Sequence, residues 1–258
     1  YRTGLERDYW ERAGDQMTFL MHILRAGFPD SRVAEQFRFD ESERYLHQAH
    51  EAGHGVLVLS PHLCGYPVFP RVLADRVPCS IYLRRSPDPK KRALNTLMGQ
   101  AGGGHLVFPS DNASPAERLN VAMQVLRQKR ALYVTPDLPR HADKGVPVTL
   151  WDRVVYFPTG VMIMALRTGA PVVFSTWFYR DGVYHVRFAE PRVLARRSDR
   201  QREAHEGMIA FARIMDQHLH EFPEMWWNWL DKRWTRILAS PPNAPVTGDT
   251  SCTGNEDV

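Results

Sequence analysis

The sequence predicts a single α/β domain over residues 1–240, with a mostly parallel sheet, helices on both faces and an antiparallel hairpin near one edge. Three observations carry that reading. Continuous apolar runs of strand length, clearest in Gly55-Val56-Leu57-Val58-Leu59-Ser60, suit strands buried on both faces. Strand-like and helix-like stretches alternate from residue 40 to residue 190, with no linker between them. Asp181-Gly182, set between two β-rich runs, is a strong hairpin signal.

Leu5, Tyr9, Ala13, Met17, Leu20, Met21 and Leu24 recur at three- and four-residue spacing and predict a first helix, stopped by Gly27-Phe28-Pro29-Asp30. Its apolar face is expected to pack on the core. A rival reading lays the bulky Trp10, Phe19, Met21 and Phe28 on a membrane surface. Asp40 and Glu43 predict a capped helix running to Ala52. The strand at 55–60 ends at Pro61-His62, and Pro67–Asp75 reads as helix. Cys79–Arg84 is a second strand, followed by a basic helical segment around Lys90–Gly99. Gly102-Gly103-Gly104 turns the chain into a third strand at His105–Pro109. Ser114-Pro115-Ala116-Glu117 is a capping box opening a helix to about Lys129.

Ala131–Thr135 is a fourth buried strand, ending at Pro136-Asp137. Residues 138–146 read as a loop, and Val148–Leu150 with Val154–Phe157 as a hairpin about Asp152. Thr159–Arg167 is an apolar helix closed by Gly169. Pro171–Tyr179 and Val183–Phe188 form the second hairpin, and Ala204–His220 is the last long helix. Residues 241–258, rich in Pro, Thr, Gly and Asn, predict a disordered tail.

The 258 residues carry 33 Lys+Arg against 29 Asp+Glu, a net charge of +4, and 43% are hydrophobic. This excludes a disordered chain and argues against a nucleic-acid partner. The longest apolar runs, such as Val161–Leu166, fall far short of the roughly 20 residues of a membrane span. At most peripheral membrane contact is expected. The chain starts at Tyr1 rather than Met, which leaves room for a targeting or anchoring segment ahead of it. Cys64, Cys79 and Cys252 are odd in number and lack metal-ligand spacing, which suits a reduced, cytoplasmic setting and no metal.

In an open α/β sheet, ligands bind beyond the carboxyl ends of the strands. His62 follows the first predicted strand, Arg84 and Arg85 close the second, Ser110-Asp111 follow the third and Asp137 the fourth. Arg140 and Lys144 lie in the adjacent loop. A histidine, carboxylates and cations on one rim suit acid–base chemistry on an anionic small molecule. His62 would be the base and the arginines would grip phosphate or sulfate. Taken singly, each residue has a plainer reading, as a strand-end hydrogen bonder, a turn cap or a solvated cation. Their joint placement favours function. Cys64 is a weaker candidate nucleophile near a helix start. Gly102-Gly103-Gly104 lacks the Lys and Ser/Thr of a phosphate loop. Phe222, Trp226, Trp227, Trp229 and Trp234 suit either an acyl or aromatic pocket or, more commonly, packing of the C-terminal segment on the core.

Several blocks together resemble a family. Ser60-Pro61-His62-Leu63-Cys64-Gly65-Tyr66 after its strand is similar to the histidine block of the bacterial lipid A biosynthesis (lauroyl/myristoyl) acyltransferases. Tyr82–Pro89, then Leu132–Asp137 with Gly145-Val146-Pro147-Val148, resemble the next two blocks. Thr159-Gly160-Val161 through Val173 resembles a fourth. Phe222-Pro223-Glu224-Met225-Trp226, ending in Arg233-Trp234, resembles the terminal signature. The ordered set spans about residues 5–236.

The resemblance implies a glycerolipid-acyltransferase-like fold. It also implies transfer of an acyl group from a thioester, acyl-CoA or acyl carrier protein, with no bound cofactor. In that family a His-x4-Asp/Glu dyad deprotonates the acceptor. Here the acid position is Pro67, so the dyad is broken. The family's helix arginine would fall near Asn95-Thr96, where none stands. Asp137 is the first candidate replacement and Asp111 the second, with Tyr66 beside the acid-bearing turn.

Three readings follow. The first is a divergent acyltransferase acting on a small-molecule hydroxyl or amine in bacterial metabolism, specialised metabolism included. The second is a scaffold reassigned to non-acyl chemistry in natural-product biosynthesis, such as intramolecular ring closure or elimination with loss of sulfate or phosphate. The third is a non-catalytic subunit that binds a carrier protein or partner.

Overall fold

In the computed structural model the described residues are 2–26, 35–82, 88–90, 92–93, 96, 105–107, 113–195 and 199–241. The chain opens with α1 (Arg2–Ala26), β1 (Phe37–Phe39) and α2 (Glu43–Glu51). Then follow β2 (Val56–Leu59), α3 (Phe69–Ala74), β3 (Cys79–Tyr82) and β4 (His105–Val107). The next elements are α4 (Pro115–Arg127), β5 (Ala131–Val134) and the hairpin of β6 (Val146–Leu150) and β7 (Arg153–Phe157). The chain closes with α5 (Gly160–Thr168), β8 (Val172–Arg180), β9 (Val183–Phe188), α6 (Arg200–Glu221) and α7 (Lys232–Ala239).

Seven described strands form one sheet in the order β1-β9-β8-β2-β5-β3-β4. The block from β8 to β4 is parallel, β9 runs antiparallel to β8, and β1 pairs parallel with β9 at the edge. The expected hairpin near one edge is therefore β8–β9, turned by Asp181-Gly182. Among the described strands, β6 and β7 pair only with each other.

Connection handedness places the helices. A parallel crossover is right-handed in nearly all proteins. The step from β2 through α3 to β3 moves toward β4, while the steps from β4 through α4 to β5 and from β5 through α5 to β8 move back. Those reversed directions put α3 on one face and α4 and α5 on the other. Contacts of α4 with α5, and of α5 with α6, agree with that layering.

The middle strand β2 explains why its sequence is unbroken apolar. All four of its residues are buried, between β5 on one side and β8 on the other. Gly55, which leads into it, has φ +70, and a Cβ there would lie 2.5 Å from the Leu126 carbonyl oxygen. Gly55→Ala is expected to destabilise the protein by about 2–4 kcal/mol, combining left-handed strain and overpacking. Gly182 has φ +81 and open space around its missing Cβ. Gly182→Ala should therefore cost about 1 kcal/mol. Urea denaturation of both variants checks the contrast.

α1 corrects the expected pattern. Tyr9 and Ala13 of the predicted face are buried, but Leu5, Met17 and Met21 are exposed, and Arg12 and Gln16 are buried instead. The docking face is set by polar contacts as well as by apolar periodicity. The Arg12 guanidinium lies 3.4 Å from the Tyr179 ring centroid and 2.7 Å from Asp15. At the start of α2, Asp40 Oδ1 accepts from the Ser42 backbone N–H at 2.9 Å, and no side chain caps the helix. Glu43 pairs with Arg76 at 2.8 Å instead of closing a box. The Ser114–Glu117 box forms with both hydrogen bonds. The basic segment at 90–99 is described only at Lys90, Arg92, Ala93 and Thr96, which are helical; Gly102-Gly103-Gly104 and the tail beyond residue 241 lie outside the described residues.

His218 on α6 is 6% exposed, and its Nε2 has no hydrogen-bond partner among the described residues. Burial, opposed by a backbone hydrogen bond to Trp177, lowers its pKa to about 4. Protonation is therefore costlier in the folded state than in the unfolded chain, where histidine titrates near 6.5. Stability is full above that value and falls as pH drops from about 6.5 to about 4, by on the order of 3 kcal/mol. His218→Gln should flatten this slope in pH-dependent denaturation curves.

Candidate active site

The loop after β2 carries His62 and is stitched on two sides. Trp177 Nε1 donates to the Cys64 carbonyl at 2.7 Å. The Gly65 N–H donates to Gln16 Oε1 of α1 at 2.9 Å. Residues 222–230, two short 3-10 turns, run alongside. There Leu63 bridges Trp226, Cys64 N–H donates to Met225 O at 2.6 Å, and Trp227 N–H donates to His62 O at 2.8 Å. Ser60 and Tyr133 share a buried hydroxyl–hydroxyl hydrogen bond of 2.6 Å below. The backbone of His62 is thereby fixed before any ligand arrives.

β2 and β5 are adjacent and parallel, with Leu59 opposite Val134. Their carboxyl ends deliver His62 and Asp137 to one place. Asp137 is fully buried. Its Oδ1 accepts from His62 Nδ1, and its Oδ2 accepts from His62 N–H (2.9 Å), Trp226 Nε1 (2.9 Å) and Asn228 Nδ2 (3.2 Å). Trp234 Nε1 donates to the Asp137 carbonyl oxygen at 3.0 Å. Burial is the largest single effect on this carboxyl and works to raise its pKa. The His62 charge and the hydrogen bonds from His62 and Trp226 outweigh it and hold the group below the usual carboxylate range.

An ionised carboxylate only accepts hydrogen bonds, so Nδ1 of neutral His62 must carry the proton. Nε2 is left as the basic nitrogen. The hydroxyl of Thr135, one residue past β5, sits 2.9 Å from Nε2. The His62 side chain remains 13% accessible. The Tyr66 ring meets the imidazole edge-on at 4.8 Å between centroids. Burial, reinforced by the Asp137 charge, pushes the Tyr66 phenol up to about 12, so it stays a hydrogen-bond donor at neutral pH.

The structure thus brings His62, Asp137 and Tyr66 together. Arg140 and Lys144 are exposed on the loop from β5 to β6; the Arg140 N–H donates to the Tyr156 carbonyl at 2.8 Å, and the Lys144 N–H to the His141 carbonyl at 2.9 Å. Arg84, Arg85 and Asp111 lie outside the described residues. Cys64 is fully buried, and that burial pushes its thiol up to about 12, which corrects the idea of a nucleophilic cysteine. Among the described residues no group of three or more His, Cys, Asp or Glu could hold a metal ion. No described helix is long and apolar enough to cross a membrane.

Sequence reasoning missed Thr135, Trp226, Asn228 and Trp234 as parts of this site. A signal for the tryptophans was present: a buried indole N–H needs an acceptor. Trp226 and Trp234 are fully buried, and both donate to Asp137. The terminal aromatic cluster therefore packs the C-terminal segment on the core, as the commoner reading expects, and also supports the carboxylate. Trp151, at φ +50 in the β6–β7 turn, fits among Trp226, Trp229 and Trp234 with ring centroids 5.1–5.9 Å away.

The family model described as bacterial lipid A biosynthesis acyltransferase matches residues 7–236. No curated protein matches the sequence significantly. Among solved structures, the chain is similar to the 1-acyl-sn-glycerophosphate acyltransferase PlsC from Thermotoga maritima. The identity is 15% and the TM-score 0.44, over 83% of this chain and 84% of that one.

Proposed function

The chain belongs to the bacterial lipid A biosynthesis acyltransferase family, and from that premise we propose that it moves an acyl group from a thioester donor to a hydroxyl or amine of a small molecule. The observation that carries the reading is the buried carboxylate of Asp137 on His62 Nδ1, which leaves Nε2 basic at the carboxyl end of the sheet. Pro67 stands where the resemblance places the family's acid, and Asp137 supplies the same support from the neighbouring strand.

In this reading His62 Nε2 takes the proton of the attacking group. The nucleophile adds to the thioester carbonyl, Asp137 stabilises the imidazolium, and the proton then passes to the departing thiolate. Tyr66 orients the imidazole. Arg84, Arg85, Arg140 and Lys144 are proposed to hold the phosphates of the donor or an anionic acceptor, with Asp111 proposed as a second carboxylate for the site. Acyl-CoA and an acyl carrier protein are the two donor types, and the carrier would be the macromolecular partner.

The test is incubation with acyl-CoA and acyl carrier protein donors and a panel of hydroxyl and amine acceptors, read by mass spectrometry. Free thiol and acylated product are expected, and both should vanish in His62→Ala. If no donor is consumed while an anionic intermediate loses sulfate or phosphate, acyl transfer is overturned in favour of ring closure or elimination.

A further inference from the structure

We propose that Thr135 is the first acyl acceptor, so that transfer proceeds through an ester on Thr135 Oγ1; the inference rests on the acyl-transfer reading above. A base that activates an external hydroxyl needs a vacant lone pair. Here the Nε2 of His62 already faces the hydroxyl of Thr135 at 2.9 Å, while Nδ1 is bound by the buried Asp137. The order Oγ1, Nε2, Nδ1, carboxylate is the nucleophile–base–orienter chain of covalent acyl transfer. An external acceptor could reach Nε2 only by displacing an enzyme hydroxyl, so the enzyme hydroxyl is the group placed to react first.

The surroundings suit that role. Thr135 is half-buried and follows β5 directly, at the strand end where ligands bind in such sheets. Pro136 after it restricts its backbone to extended conformations, and Asp137, two residues on, is held by four side-chain and backbone donors. Nucleophile and orienting acid thus sit on one short anchored segment, with the base clamped above them.

The chemistry balances in two halves. Thr135 Oγ1 attacks the thioester carbonyl as its proton passes to His62 Nε2. The C–S bond breaks, and the thiolate leaves with that proton as free thiol, giving the threonyl ester. The acceptor hydroxyl or amine then gives its proton to Nε2 and attacks the ester. The C–O bond to Thr135 breaks, and Oγ1 recovers the proton.

The experiment mixes octanoyl-CoA with the full chain without acceptor, follows thiol release in the first turnover, and maps the protein by mass spectrometry. Cleavage after Arg130 and Arg140 gives the peptide Ala131–Arg140, in which Tyr133 and Thr135 are the two hydroxyl side chains and fragment ions separate them. The expected result is a thiol burst stoichiometric with enzyme and an octanoyl group on Thr135. Thr135→Ser should keep both. Thr135→Val, nearly isosteric, should lose both, with thiol release in the presence of acceptor lowered on the order of 10³-fold or more. Octanoyl transfer to an acceptor by Thr135→Val at the wild-type rate, or wild-type turnover with no adduct at Thr135, would overturn the proposal and leave acyl transfer standing. Absence of thiol release from any thioester, with any acceptor, would remove the acyl-transfer reading and this inference with it.

Discussion

Asp137→Asn is expected to lower kcat by roughly 10⁴, the scale seen when the orienting aspartate of a serine-protease triad is replaced. The asparagine oxygen can still accept from His62 N–H, Trp226 and Asn228 in place of Oδ2. Its NH2 would then face His62 Nδ1 as a donor. The imidazole answers by moving its proton to Nε2, and the basic lone pair is lost from the reactive side. Shape is preserved, so the stability cost should stay near 1–3 kcal/mol. Kinetics and thermal denaturation on the same preparation separate the two effects. Asp111→Asn, the other sequence-derived carboxylate, should lose far less activity. Small, equal losses in both would show that no carboxylate assists His62.

The second large effect belongs to Trp226. Its ring is fully buried and packs against Trp151, Trp229 and Trp234, while its N–H is spent on Asp137. Trp226→Ala should cost about 3–5 kcal/mol, a sizeable part of the stability of a domain this size. Trp226→Phe keeps most of the packing but removes the donor. Asp137 would then be less strongly held in its charged form. A carboxyl lowered in the folded state contributes stability that is present above its unfolded value, near 3.9, and is lost as pH falls through the folded one. With the indole N–H gone, acid unfolding should begin at higher pH. Denaturation curves from pH 7 to pH 3 for Trp226→Phe and wild type check the direction.

Much of the fold is legible because its signals are local. β2 reads as buried on both faces since it lies mid-sheet, and Asp181-Gly182 announces β8–β9 through its turn chemistry. The Ser114–Glu117 box needs only four consecutive residues. β1 is three residues long, too short for any periodicity, and its existence depends on β9. Residues 222–230 follow no repeat, because they are shaped by pairing with the His62 loop, more than 150 residues earlier.

The site divides in the same way. That His62 and Asp137 share a rim follows from strand ends alone. That they touch follows from β2 and β5 being neighbours, although β3 and β4 come between them in sequence. A strand order of that kind is not written in hydrophobic pattern. Thr135 was hidden by its ordinariness, as a strand-end threonine whose role depends on which ring it faces. The buried face of α1 departs from apolar periodicity because Arg12 and Gln16 dock through a tyrosine ring and a loop N–H, contacts that apolar spacing does not encode.

The central claim is that Asp137, rather than an acid four residues after the histidine, holds His62 with Nε2 as its base. The most direct measurement is the tautomeric state of the His62 ring by long-range 1H–15N NMR, at a pH where the ring is neutral, in wild type and Asp137→Asn. The account predicts a proton on Nδ1 in the wild type, with an unprotonated, hydrogen-bond-accepting Nε2, and transfer of that proton to Nε2 in the variant. A wild-type ring carrying its proton on Nε2, or a tautomer unchanged by Asp137→Asn, would contradict it.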